Sequence, residues 1–364
     1  MFVYLSILSM IILLGLIMMG PGASSSNKKA YVIIVALMLF AVAAVRSYVV
    51  GVDTQQFCEA YIRIGYEGAT AFHLERYEYL FTALCLLLSK ISSNYQLLIV
   101  VSSALCIFPV AYLIYECSED VMLSFFLYVA LNMYFSSMNT MRQSIAIGVL
   151  AIGIVWLMQG KTWPFVASVL VAFFFHQSVI FVLVLLPVRR LPFGKREFLL
   201  YLMAAVVVFV FSGPIVNLVS HLYGRKTLYS DEFMGSNYFG ALIGAAVAFV
   251  CCCFCANYFS VARKQGNKGR HDALLMHGMM LWLVFEVFKV QVEIVGRLGM
   301  YFMLFAILAI PTVLGRVPHN ERRIVKLVAC ACFLIYFVVI GATRPEWYGA
   351  IPYVADINSV LSIF

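Results

Sequence analysis

A chain of 364 residues that is 64% hydrophobic and 12% charged lies far above the near-half apolar content of soluble domains and cannot fold in water. A soluble enzyme, a secreted disulfide scaffold and a disordered tail are excluded at once. Lys and Arg exceed Asp and Glu by 25 to 17, a net +8, but in a polytopic protein such an excess orients the loops and is no argument for nucleic acid.

Taken in chain order, apolar runs near the length that crosses ~30 Å of hydrocarbon lie at 2–20, 30–50, 76–91, 94–115, 121–138, 141–158, 162–176, 178–190, 197–220, 238–261, 273–291, 298–314 and 322–341. The first lacks the basic leader and small-residue cleavage site of a signal peptide, so it is expected to remain as a span. The fold class expected is all-α: a polytopic membrane protein of about 12 transmembrane helices, 1–364 forming a single membrane domain. Its polar segments are an external interfacial segment at 51–75, an external loop at 221–237 and an external tail at 342–364. The ten cysteines lie mostly within apolar runs, where a thiol is a small hydrophobe, and no disulfide framework is expected.

Sidedness follows from the basic residues. Arg189/Arg190/Lys195/Arg196, Arg263/Lys264/Lys268/Arg270 and Arg316/Arg322/Arg323/Lys326 are separated each time by two spans and are assigned to the cytoplasm. Lys161 falls on the same side, which turns Arg142, His176, Arg297, the 221–237 loop and the tail outward. In the first half Lys28 and Lys29 inside put Asp53 outside, yet three apolar runs separate Asp53 from Asn139, which is also outside. One of them cannot cross. The run 76–91, short and preceded by Glu75, Arg76 and Glu78, is the candidate for a re-entrant or interfacial helix lining a cavity; the alternative is that the two lysines lie on the wrong side.

A charge within a membrane helix costs about 2.5–3.5 kcal/mol on insertion scales and needs a partner, a cavity or a purpose. Arg46 with Gly51-Val52-Asp53-Thr54, followed by Tyr61, Tyr66, Phe72, Tyr77 and Tyr79, reads as an interfacial lip; the bland reading is that Arg46 snorkels and Asp53 and Thr54 cap the next helix. Asn139, Arg142 and Gln143 are spaced i, i+3, i+4 on one helical face at a helix N-terminus, suited to hold a phosphate or pyrophosphate; against it stands a structural bond from Arg142 to neighbouring carbonyls. His176, in Phe173-Phe-Phe-His-Gln-Ser178 at a break between two short runs, can take a proton at neutral pH, although a lone histidine on an apolar face is more often a satisfied core residue. Glu286, Lys289, Glu293, Arg297 and Tyr301 share nearly one face of two consecutive helical segments. There Glu286 and Lys289 read as a buried pair, and Arg297 as a residue that reaches a ligand.

Other signals fail. Gly160-Lys161-Thr162 lacks the Walker glycine, since Val155 stands five residues upstream. Cys252-x-x-Cys255 lies in an apolar run with no second ligand pair, and no H-E-x-x-H occurs among the six histidines.

In order and spacing, R-x4-G-V-D-T from Arg46, E-x-x-F from Glu78, Y-F-x3-N-x-x-R-Q from Tyr134 to Gln143, F-H-x-S from Phe175 to Ser178 and R-x3-Y from Arg297 to Tyr301 resemble the EpsG-like family of bacterial polysaccharide polymerases, the Wzy-type enzymes. The resemblance runs from about residue 30 to 315. One departure is Phe57, where the family often has a tyrosine three residues after D-T.

What the resemblance implies is a metal-independent glycosyltransferase of GT-C-like fold in the bacterial cytoplasmic membrane. It would join lipid-linked oligosaccharide repeat units on the outer face, with undecaprenyl pyrophosphate as leaving group. His176, Arg142 and Asp53 would be catalytic, with Asp53 or Glu78 the fallback base. Arg46, Glu78, Asn139, Gln143, Ser178, Arg297 and Tyr301 would bind substrate, while the aromatics of 57–79 and of the 221–237 loop line the glycan path. No cofactor, metal or nucleic acid is implied. The partners are the lipid-linked oligosaccharide and the bilayer, with a chain-length regulator and a flippase as further candidates. A related ligase, a transporter of lipid-linked glycan and a membrane acyltransferase are the competing readings; a transporter would carry its charges through the bilayer and on both faces.

Overall fold

The computed structural model describes residues 1–20, 22–223, 238–264, 269 and 271–363. Of the expected 221–237 loop, 224–237 lie outside these residues, as do Lys268 and Arg270 of the second basic cluster. Two compact units form, one from Met1–Ile180 with Leu327–Phe364 and the other from Phe181–Lys326; each is described by itself.

The first unit is built from α1 (Phe2–Met18), α2 (Ser25–Ala44), α3 (Thr54–Glu67), the single turn α4 (Ala71–Leu74), α5 (Tyr79–Ser89), α6 (Gln96–Cys117), α7 (Val121–Ala130), α8 (Met133–Asn139), α9 (Met141–Met158) and α10 (Thr162–Phe173). Helix α2 starts where Ser24 Oγ accepts from the Asn27 N–H at 3.1 Å, and α7 where Asp120 accepts from the Leu123 N–H at 3.0 Å, both side-chain caps of orphan donors. The core stack runs α2 on α6, α6 on α9 and α9 on α10. Gly148 permits the α6–α9 approach, because a Cβ there would collide with the Leu105 carbonyl.

Helix α3 is amphipathic. Thr54, Phe57, Cys58, Tyr61 and Ile64 are buried at the three- and four-residue spacing of one helical face, and they pack on α5 and α6. The opposite face, with Gln55, Gln56, Glu59, Arg63 and Tyr66, is exposed.

The second unit contains α11 (Leu185–Val188), α12 (Lys195–Val210), α13 (Ser212–Tyr223), α14 (Tyr238–Lys264), α15 (Asp272–Lys289) and α16 (Gly296–Gly315), with α15 packed against α12, α14 and α16. The chain then runs through α17 (His319–Thr343) into a tail that ends in α18 (Ile357–Leu361).

Among the described residues, six helices are long and apolar enough to cross a membrane, seven if α7 and α8, bent by 54°, count as one broken span. The protein is thus a polytopic helical membrane protein, but fewer runs qualify than the dozen expected. Run 121–138 breaks at Asn132, which adopts the left-handed conformation (φ 62°) that Asn tolerates better than most residues. Run 178–190 is mostly a 3-10 helix, Gln177–Val184. Run 197–220 is divided between α12 and α13, and α15 carries Asp272, Glu286 and Lys289.

Run 76–91 folds as α5, only 11 residues long, which at 1.5 Å per residue reaches about 16 Å, half the hydrocarbon thickness. Both of its ends are tied to the same end of the unit. At its start the Leu80 N–H donates to the Phe174 carbonyl at 3.0 Å. Beyond its C-terminus, Asn94 Nδ2 donates to the Ser359 carbonyl at 2.9 Å and Gln96 Nε2 to the Ala44 carbonyl at 2.8 Å.

Candidate active site

The bond from Leu80 to Phe174 sets the residue before α5 against the end of α10, and that is where the charged side chains gather. Helix α10 ends at Phe173, the His176 N–H still donates to the Ala172 carbonyl at 2.9 Å, and the 3-10 segment carrying Ser178 follows. The break turns His176 toward Glu78, with its Nδ1 lying 3.3 Å from Glu78 Oε1. The other carboxylate oxygen, Oε2, is ion-paired with Arg142 Nη1. One carboxylate thus joins the two residues singled out most strongly in the sequence.

Arg142 sits in the first turn of α9, as expected, with its guanidinium over the rings of Tyr77 (4.9 Å) and Phe57 (5.6 Å). Such faces stabilise a cation by about 0.5–2 kcal/mol. Its Nε is buried without a hydrogen-bond partner. Burial pushes the Glu78 carboxyl up, but His176 and the Arg142 charge outweigh it and hold Glu78 at about 2. Glu78 is therefore an anion at neutral pH, and with His176 neutral the trio carries no net formal charge.

Asn139 does not share a helical face with Arg142 and Gln143. Helix α8 ends at Asn139 and α9 begins at Met141, with Thr140 between them off helical geometry (ψ 63°). Asn139 instead bridges two other segments, its Oδ1 accepting from the Asp53 N–H at 2.9 Å and its Nδ2 donating to the Trp347 carbonyl at 3.4 Å. Thr54 Oγ1 donates to the Met138 carbonyl at 2.8 Å. The Gly51–Thr54 turn is thereby pinned beside Arg142's helix, with Asp53 at the N-cap of α3. Gln143 is buried, and Ser178 is half-buried in its 3-10 segment.

Arg46 is not at a lip. It is 1% exposed, and its Nη1 donates to Ser103 Oγ at 2.8 Å and to the Ala43 carbonyl. The side chain turns inward because these acceptors lie within reach of the last turn of α2, and its Nε and Nη2 are buried without partners.

A tail contact was not legible from motifs. The Ser47 N–H donates to Val354 O at 2.9 Å, the Asp356 N–H to Val45 O at 2.8 Å and the Gly51 N–H to Gly349 O at 2.8 Å. The tail thus lies along the 45–51 backbone. The only signal for it in the sequence is a glycine on each side, Gly51 and Gly349.

In the second unit Glu286 and Lys289 are paired at 3.8 Å, and Trp282 Nε1 donates to Glu286 at 3.3 Å. Glycine provides the space, since a Cβ at Gly244 of α14 would come within 2.9 Å of Glu286 Oε2. Arg316 pairs with both oxygens of Asp272 at 2.7 and 2.9 Å. The stripe from Glu286 to Tyr301 is folded back on itself, as α15 and α16 pack against each other across the short 3-10 turn Glu293–Val295. Arg297 is exposed at the start of α16, whereas Tyr301 is fully buried.

The EpsG family matches residues 29–355, from the first turn of α2 to the tail segment that pairs with Arg46. The chain belongs to the EpsG family. No curated protein and no solved structure matches it. EpsG membership suggests a polysaccharide-polymerase type of function and a lipid-linked substrate, and the match takes in every residue of the Glu78–Arg142–His176 cluster. It also includes the tail from Arg344 to Ala355.

Proposed function

We propose that this EpsG-family chain is a glycosyltransferase of GT-C type. It joins undecaprenyl-pyrophosphate-linked oligosaccharide repeat units on the outer face of the cytoplasmic membrane, and about a dozen membrane segments carry it. The observation that supports this most is the single carboxylate of Glu78 shared between His176 and Arg142.

Glu78 faces Nδ1 of His176, which makes Nε2 the atom that accepts a proton, and a carboxylate behind the ring stabilises the imidazolium that results. The acceptor hydroxyl oxygen attacks the anomeric carbon and its proton passes to Nε2. As the new C–O bond forms, the bond to the pyrophosphate oxygen breaks in line and its electron pair leaves with undecaprenyl pyrophosphate. That leaving group needs positive charge more than a proton. Arg142 supplies it together with the N-terminal N–H groups of α9, and an anion drawing on Arg142 leaves Glu78 to His176 alone. Glu78 thereby becomes a positioning residue, Asp53 stays near the acceptor side as fallback base, and on the second unit the exposed Arg297 is the proposed substrate contact. A flippase and a chain-length regulator remain candidate partners.

The test is the fate of repeat units in cells. Arg142→Ala should abolish polymer while single lipid-linked units still reach the outer leaflet, and His176→Ala should lose turnover, by roughly 10²-fold or more, with donor binding retained. Units stranded on the inner leaflet would favour a transporter, and normal chain length in His176→Ala would remove that residue as the base.

A further inference from the structure

We propose that the exposed face formed by α3, the turn after α4 and the start of α5 is a carbohydrate-binding platform that holds the acceptor glycan. This rests on the polymerase reading. Tyr77 is the link to the reaction centre, with its ring against the Arg142 guanidinium and its centroid 6.1 and 5.6 Å from those of Phe57 and Phe81. Its phenol faces Gln56, with Arg63 and Glu75 beside it. Arg63 and Glu75 are ion-paired at the end of α4, which holds the guanidinium in place, and half of the Arg63 side chain stays open to solvent. On the other side of Glu78, Tyr79 is 65% exposed and lies nearly parallel to Phe72, 6.2 Å away at 20°.

Two aromatic residues therefore flank the carboxylate that holds His176, and planar polar groups surround one of them. A sugar ring presents a flat C–H face to an aromatic ring and a rim of hydroxyls to amide, carboxylate and guanidinium groups, which is the chemistry arranged here. A lipid-binding face would be rich in Lys and Arg opposite an unburied apolar stripe. Here the apolar stripe is spent on α5 and α6. The open side carries both signs of charge, with Glu59 against Arg63 and Arg76. In this chain Tyr77 also supplies a phenol near Arg142, where Phe57 has none.

The experiment uses full-length protein in nanodiscs. The probe is the lipid-free repeat oligosaccharide released by mild acid from the host's own lipid-linked pool, read by saturation-transfer NMR. Wild type should bind it, and the double variant Arg63→Ala/Tyr79→Ala, both surface positions, should bind it about tenfold more weakly. In turnover, the same variant should raise the acceptor KM more than it lowers kcat. Equal binding by wild type and variant, or none by wild type, overturns the platform. Oligosaccharide binding without polymer formation from lipid-linked units would instead overturn the polymerase reading and leave the platform standing.

Discussion

At Glu78 a carboxylate meets a guanidinium on one oxygen and an imidazole on the other, so its charge is what the fold stabilises. Held at about 2 against an ordinary 4.5, it has a depressed folded-state value. The stability it contributes is therefore complete above about pH 4.5 and lost as pH falls toward about 2. Thermal unfolding of wild type and Glu78→Gln should accordingly differ throughout about pH 8 to pH 5, with the gap closing only in more acid solution. A gap that closes near neutrality, or none at all, would mean that the carboxylate is not held as described. Arg46 teaches the opposite lesson at the same scale. An arginine one turn from a helix end can snorkel outward or turn in, and only the position of Ser103 on a neighbouring helix decides between them.

At the scale of elements, the tail acts as a clasp. Gly349 has a positive φ of 59°, and a Cβ on it would come within 2.7 Å of the Val52 nitrogen. Gly349→Ala should lift the tail from the Gly51–Thr54 turn at a cost of about 1–2 kcal/mol. That would appear as a lower thermal midpoint and faster proteolysis beyond Arg344. Gly213→Ala, with nothing within 4 Å of its Cβ, is the control, and equal behaviour of the two variants would rule out the clasp. Helix existence and the N-x-x-R-Q and F-H-x-S clusters were legible in the sequence, because long apolar runs and isolated membrane charges have few physical outcomes. The breaks were not. Residues 121–147 contain no Gly or Pro, so nothing local marks the bend at Asn132 or the interruption at Thr140, and Asn139 and Arg142 were assigned one face that tertiary packing divides. Glu78 stood out in E-x-x-F, at the start of the 76–91 run and as a fallback base, but not as the partner of Arg142 and His176, since a carboxylate's partner across three helices is a property of packing.

For the whole molecule, the decisive feature is that α5 begins and ends on one side. The charge pattern left either one non-crossing run in the first half or two lysines on the wrong side, and α5 has the length and the tethers of a non-crossing element. In a cysteine-free background, Tyr66→Cys and Lys90→Cys should both react with an impermeant maleimide from one side of sealed vesicles, and Lys29→Cys from the other. Labelling of Tyr66→Cys and Lys90→Cys from opposite sides would mean that α5 crosses and would separate Glu78 from the face assigned to it. Whether the Glu78-linked pair of His176 and Arg142 drives glycan transfer from a lipid pyrophosphate is decided by incubating purified protein with synthetic lipid-pyrophosphate oligosaccharide, without nucleotide sugar or metal. Wild type should give dimers and longer products and His176→Ala none; unchanged substrate with wild type, or equal product from both proteins, would rule the pair out.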